Sequence, residues 1–107
     1  MLQPDKLIHE PARLAILTVL SSCATADFIF LQRVTGLTKG NLSVQLSKLE
    51  ESNLITITKE FIGKKPSTSA GLTEKGCQAL ADYWLTMDQI RSLQKQQGAQ
   101  NGKPTQH

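Results

Sequence analysis

The run Leu37-Thr38-Lys39-Gly40-Asn41-Leu42-Ser43-Val44-Gln45-Leu46-Ser47-Lys48-Leu49-Glu50-Glu51-Ser52-Asn53 constrains the fold more than any other part of the chain. Thr38 can act as an N-cap, its hydroxyl satisfying an orphan amide of the first helical turn. Leu42, Leu46 and Leu49 recur at i, i+4 and i+7, which stacks them on one side of a helix over about residues 38–52. The opposite side holds Gly40, Asn41, Val44, Ser47 and Lys48, which are small, polar or basic. A face of this kind fits close approach to a flat polar surface such as the edges of base pairs. Asn53 stands where a left-handed C-cap residue belongs. Taken alone, the same pattern also describes an ordinary amphipathic surface helix.

The residues after this helix narrow the choice. Leu54 to Ile62 alternates and is rich in β-branched residues, so it is a strand. Gly63-Lys64-Lys65-Pro66 is a basic turn, and Ser67 to Leu72 returns as a second strand, closing a hairpin over about 54–72. Within it Ile55, Ile57 and Phe61 share a face expected to pack on the helices, with Lys59 of the same parity lying beyond the core. Upstream, Asp27 is a candidate N-cap for a short helix from Phe28 to Thr35, with Phe28, Leu31 and Val34 as its buried stripe. Gly36 ends that helix, and Gly36-Leu37-Thr38 is a tight turn into the next.

On Leu37-Thr38-Lys39-Gly40-Asn41-Leu42-Ser43, Leu46-Ser47-Lys48-Leu49-Glu50, Phe61-Ile62-Gly63-Lys64-Lys65-Pro66 and Leu72-Thr73-Glu74-Lys75-Gly76, the chain from Pro11 to Tyr83 resembles the small winged helix-turn-helix regulators related to the MarR and ArsR groups. The fold this implies is mainly α with a small β-hairpin wing and a long C-terminal dimerisation helix. It also implies that DNA binding controls transcription.

Charge distribution agrees. Residues 33–65 hold Arg33, Lys39, Lys48, Lys59, Lys64 and Lys65 against Glu50, Glu51 and Glu60, whereas the chain as a whole carries a modest +3. The basic excess thus sits on the second helix of the pair and on the hairpin, as a phosphate backbone requires. The candidate contacts are Thr38, Lys39, Gly40, Asn41, Val44, Gln45 and Lys48 for the major groove, and Lys64, Lys65, Ser67 and Thr68 on the wing. Asn41 and Gln45 carry amides that can pair with adenine edges, and Lys39 or Lys48 can reach guanine or phosphate. Wing lysines position the protein more than they specify a sequence.

Pro11 suits the first position of a helix, with Glu10 at its positive end. Leu14, Ile16, Leu17, Val19 and Leu20 cover more than one face of it. Either this is the central helix of a small bundle or it has a second partner. The last helix, about 74–96, is capped by Thr73 and carries Leu80, Tyr83, Trp84 and Met87 as an apolar stripe, with Leu85, Ile90 and Leu93 lying off it. Because both terminal helices are the usual dimer elements in the proteins this resembles, a homodimer is expected. Its candidate interface comprises Leu14, Ile16, Leu17, Trp84, Leu85, Ile90 and Leu93. One domain over residues 1–97 and a disordered tail over 98–107 complete the layout.

Other chemistry finds no support in the residues. The two histidines, His9 and His107, converge with no carboxylate pair or nucleophile, so no catalysis is expected. Gly63-Lys64-Lys65-Pro66 is not a phosphate-binding loop, since Thr58 stands where the first Gly is needed and Lys65 where Ser or Thr is needed. Cys23 and Cys77 make neither a disulfide framework nor a supported metal site, and each is expected to be a small buried apolar residue, with a redox-sensing thiol as the alternative left open. No cofactor and no metal are implied, and no effector can be read. The absence of a signal peptide and of any apolar run near ~20 residues points to a soluble, cytoplasmic protein without membrane contact. Two further functions stay open: a winged-helix adaptor that binds protein without DNA, disfavoured by Lys64 and Lys65, and RNA binding, which lacks exposed stacking aromatics near the basic patch.

Overall fold

The computed structural model describes residues 2–100, the side chains of 94–100 excepted. The chain runs α1 (Pro11–Ser21), β1 (Ala26–Asp27), α2 (Phe28–Thr35), α3 (Lys39–Glu51), β2 (Ile55–Ile62), β3 (Lys65–Leu72) and α4 (Glu74–Gln100). Its antiparallel three-stranded sheet has the order β1-β3-β2. This is a winged helix-turn-helix: α2 and α3 form the helix pair, and β2 with β3 form the wing.

Helix boundaries are set by local chemistry. Glu10 caps α1, its carboxylate accepting from the Ala12 and Arg13 amides at 3.0 and 2.9 Å. Asp27 caps α2 through the Phe30 amide at 2.7 Å, and Gly36 ends it at φ +72°. Thr38 caps α3 through the Asn41 amide at 3.1 Å. The end of α3 is a Schellman turn, in which Asn53 at φ +62° lets the Leu54 amide donate to Leu49 O and its own amide donate to Glu50 O. Thr73 then joins the end of α3 to the start of α4. Its hydroxyl donates to Asn53 O at 2.6 Å and accepts from the Gly76 amide at 2.9 Å.

The core lies between α1 and everything else. Ile16, Leu17 and Leu20 of α1 meet Leu31, Leu42, Leu46, Leu49, Ile55, Ala70, Leu80 and Tyr83. Ile16 and Leu17 are fully buried in the single chain, so they are not available to a dimer interface as the sequence suggested. The reason is that α2, α3, β3 and α4 all pack on α1, and its surplus apolar faces are filled from within. Each such side chain contributes about 1.5–3 kcal/mol by burial. Ile8, in the turn before α1, is also fully buried and extends the core upstream of the first helix.

Four other expectations differ from the structure. Val34 is half-exposed, because a residue six positions after Phe28 has rotated ~120° away from it around a helix of 3.6 residues per turn. Phe61 is exposed, because the wing extends beyond the helices that cover Ile55 and Ile57. Cys77 is exposed and Cys23 only half-buried, since α4 turns Gly76 and Leu80 inward and carries Cys77 to the side. Residues 98–100, expected to begin a disordered tail, continue α4, and the rest of that segment, 101–107, lies outside the described residues. No described helix is long and apolar enough to cross a membrane.

Candidate nucleic-acid interface

Helix α3 buries Leu42, Leu46 and Leu49 and leaves the other side open. Thr38, Lys39, Gly40, Asn41, Ser43, Val44, Ser47 and Lys48 are all exposed. Ser47 was already placed on this side from sequence, whereas Ser43 joins the face without having been singled out. Since Leu42 points inward, the residue one position later rotates outward, which is the signal that could have found Ser43.

Gln45 is half-buried, and each end of its amide makes a hydrogen bond within the chain. The Arg13 guanidinium of α1 donates to Gln45 Oε1 at 2.8 Å, and Gln45 Nε2 donates to Asn41 Oδ1 at 2.9 Å. Arginine has no acceptor, so its presence fixes which end of the Gln45 amide faces it, and the orientation is passed on to Asn41. Asn41 therefore offers its Nδ2 donor outward. Arg13 is itself held by donating to Leu7 O at 2.5 Å and lies 3.6 Å from a Glu10 carboxylate oxygen. The result is a chain of polar contacts from the turn before α1 to the outer face of α3. No local sequence pattern announces it, because Arg13 and Gln45 are 32 residues apart.

Glu10 anchors the same corner. Burial pushes its carboxyl pKa up, but the amide bonds from Ala12 and Arg13 and the nearby charges of Arg13 and Lys48 outweigh this and hold it below the ordinary 4.5. The two ion pairs among the described residues join Glu10 to Arg13 and Asp88 to Arg91. Lys39, Lys48, Lys59, Lys64 and Lys65 are exposed and have no carboxylate partner among those residues.

The wing pairs Ile55 with Leu72 through to Ile62 with Lys65, leaving Gly63 and Lys64 as a two-residue turn. Gly63 has φ +65° at the first central position, which a side chain would strain and which matches the twist of the strands. Lys64 and Lys65 are exposed at the tip, while Ser67 and Thr68 are half-buried nearer the body. A crevice of about 400 Å³ separates wing and helix pair, lined by Lys39 and Ser43 of α3, by Pro66, Ser67 and Thr68 of β3, and by Asp27, Phe28 and Ile29. The outer face of α3 and the base of the wing thus border the same opening. Among the described residues no cluster of three or more His, Cys, Asp or Glu could hold a metal.

A helix pair with an open polar face beside a lysine-tipped hairpin defines the winged-helix class of nucleic-acid-binding modules. The chain belongs to the winged helix DNA-binding domain family, whose model matches residues 12–91. An uncharacterized protein, MJ0432, of Methanocaldococcus jannaschii is 32% identical over 78 residues, spanning 73% of this chain and 85% of the relative. Among solved structures, a transcriptional regulator homologue of Pyrococcus horikoshii OT3 superposes with a TM-score of 0.75 at 27% identity, covering 80% of this chain and 85% of that one. A MarR-family transcriptional regulator of Silicibacter pomeroyi shares the fold, with a TM-score of 0.65 at 19% identity over 82% of this chain and 58% of that one.

Proposed function

We propose that the protein is a non-enzymatic transcriptional regulator that binds specific double-stranded DNA as a homodimer. The observation that carries this reading is the opening that the outer face of α3 shares with the base of the wing, bordered by Lys39 and Ser43 on the helix and by Pro66, Ser67 and Thr68 on the strand, with Lys64 and Lys65 exposed at the wing tip. α3 lies in the major groove. Gly40, Ser43, Val44 and Ser47 permit close approach, and Thr38 and the N-terminal turn of α3 meet a phosphate. Asn41, with its oxygen engaged by Gln45, donates from Nδ2 to an acceptor such as purine N7, guanine O6 or thymine O4. Gln45 orients Asn41 instead of reading a base itself. Lys39 and Lys48 reach phosphate or guanine, and Lys64 and Lys65, with Ser67 and Thr68 behind them, hold the backbone or minor groove.

Dimerisation is supported by α4, which leaves Trp84, Leu85 and Leu93 about half-exposed and Ile90 partly so, with Leu14 half-buried on α1. Leu2, Leu85 and Leu93 also border one shallow depression with Asp88, Gln89 and Ser92. Selection of bound sequences from a random duplex library tests the proposal. Enrichment of a two-fold symmetric motif, with half-sites about one helical turn apart, is expected. Absence of any enriched duplex would count for a protein-binding adaptor.

A further inference from the structure

The wing carries apolar side chains that neither the core nor the lysine contacts to phosphate employ. Phe61 and Ile62 are 73% and 67% exposed. A two-stranded tip has no second layer in which to bury them. Register places Phe61 opposite Pro66, and strand alternation puts this pair on the face that bears Ile57 and Ala70, the face turned towards the helices. Pro66 also lines the crevice together with Lys39 and Ser43 of α3. The Phe61–Pro66 pair therefore overhangs the side on which α3 is open. Four residues at ~3.3 Å each set Phe61 roughly 13 Å beyond Ile57. Lys59, Lys64 and Lys65 of the wing and Lys39 across the crevice stand around the pair, against Glu60 and Asp27. That excess suits a polyanion better than an apolar protein surface.

We propose that Phe61, backed by Pro66, is a wedge that enters the minor groove beside the α3 contact and opens a base step, so that the wing bends the duplex; this presupposes the DNA-binding role proposed above. The minor groove of B-form DNA is about 6 Å wide. The two strands of the tip lie ~4.8 Å apart before their side chains are added, so the tip enters only where the groove widens. Apolar wedges between base steps do this in other minor-groove binders, giving up base stacking for a larger interface with the bent duplex. Pyrimidine–purine steps open most readily. A TA or CA step is therefore expected beneath the wing, and a stiff A-tract at that position weakens binding.

The test uses the full chain and a selected duplex, end-labelled for energy transfer, with 2-aminopurine at the step beneath the wing. Wild type is expected to shorten the end-to-end distance and raise 2-aminopurine fluorescence. Phe61→Ala is expected to lose both signals and about tenfold in affinity without changing the salt dependence, since no phosphate contact is removed. Phe61→Leu, which keeps an apolar wedge, retains the bend. Wild type that binds without unstacking, or Phe61→Ala that bends DNA as wild type does, would overturn the wedge while leaving DNA binding intact. Failure of wild type to bind any duplex would overturn both. In that case, Phe61-dependent pelleting with phosphatidylserine vesicles would assign the tip to a membrane surface.

Discussion

Asn41 and Gln45 sit one turn apart on α3, and the hydrogen bond that Gln45 accepts from Arg13 sets how they divide base recognition in the proposed DNA complex. Replacing Gln45 with Ala removes the acceptor that holds Arg13 and the donor that fixes Asn41. Discrimination at one base pair is expected to fall by roughly 1–3 kcal/mol, with nonspecific affinity and its salt dependence kept. Competition with single-base variants of the site measures this, and unchanged discrimination would show that Asn41 needs no support. Glu10 carries the pH dependence of the same corner. Its pKa is lower folded than unfolded, so its contribution is present above the ordinary 4.5 and is lost as pH falls through the lowered folded value. Glu10→Gln is therefore expected to melt below wild type at pH 7, with the gap closing in melts taken progressively below pH 4.5. Local residue roles were legible in the sequence: Thr38, Asp27, Gly36 and Asn53 act within a few residues of their partners. Gln45 was not, since its partner comes from another helix.

At the scale of elements, periodicity worked where one layer covers one face. The leucines of α3 and the first half of the wing follow it. It was ambiguous for α1, where apolar residues on several faces are the signature of a central helix and of a second interface alike. It overreached for Phe61, because strand parity says which face a residue takes but not how far the covering layer extends. The two-residue β1 is too short for any alternation, and pairs Ala26 with Ala70 through contacts the sequence does not announce. The joint between α3 and α4 also depends on a distant approach. A Cβ on Gly76 would overlap Leu54 O, whose backbone is fixed by the Schellman turn and cannot swing aside. Gly76→Ala is expected to cost about 1–3 kcal/mol. In a domain of this size that lowers the melting temperature by at least ~4 °C, and a melt equal to wild type would mean that α4 shifts freely.

At the scale of the whole molecule, the apolar side of α4 and the polar side of α3 with the wing are both exposed among the described residues, and the proposed function gives them different partners. The apolar one on α4 is expected to bind a second copy. Leu85→Glu with Leu93→Glu should leave a folded monomer in sedimentation equilibrium, whereas wild type at micromolar concentration sediments as a dimer. A wild type that stays monomeric would mean that α4 joins no second chain. The polar surface of α3 and the wing was foreshadowed by the uneven placement of lysine, because charge needs solvent and so reports the outside of a fold without its geometry. That the opening between α3 and the wing faces a duplex is tested most directly by the salt dependence of DNA affinity. Wild type is expected to give a steep linear fall of log K with log salt, and Lys64→Ala with Lys65→Ala to flatten the slope by about 0.9 for each phosphate no longer neutralised. A wild-type affinity indifferent to salt, or a slope untouched by removing both lysines, would contradict a duplex in that opening.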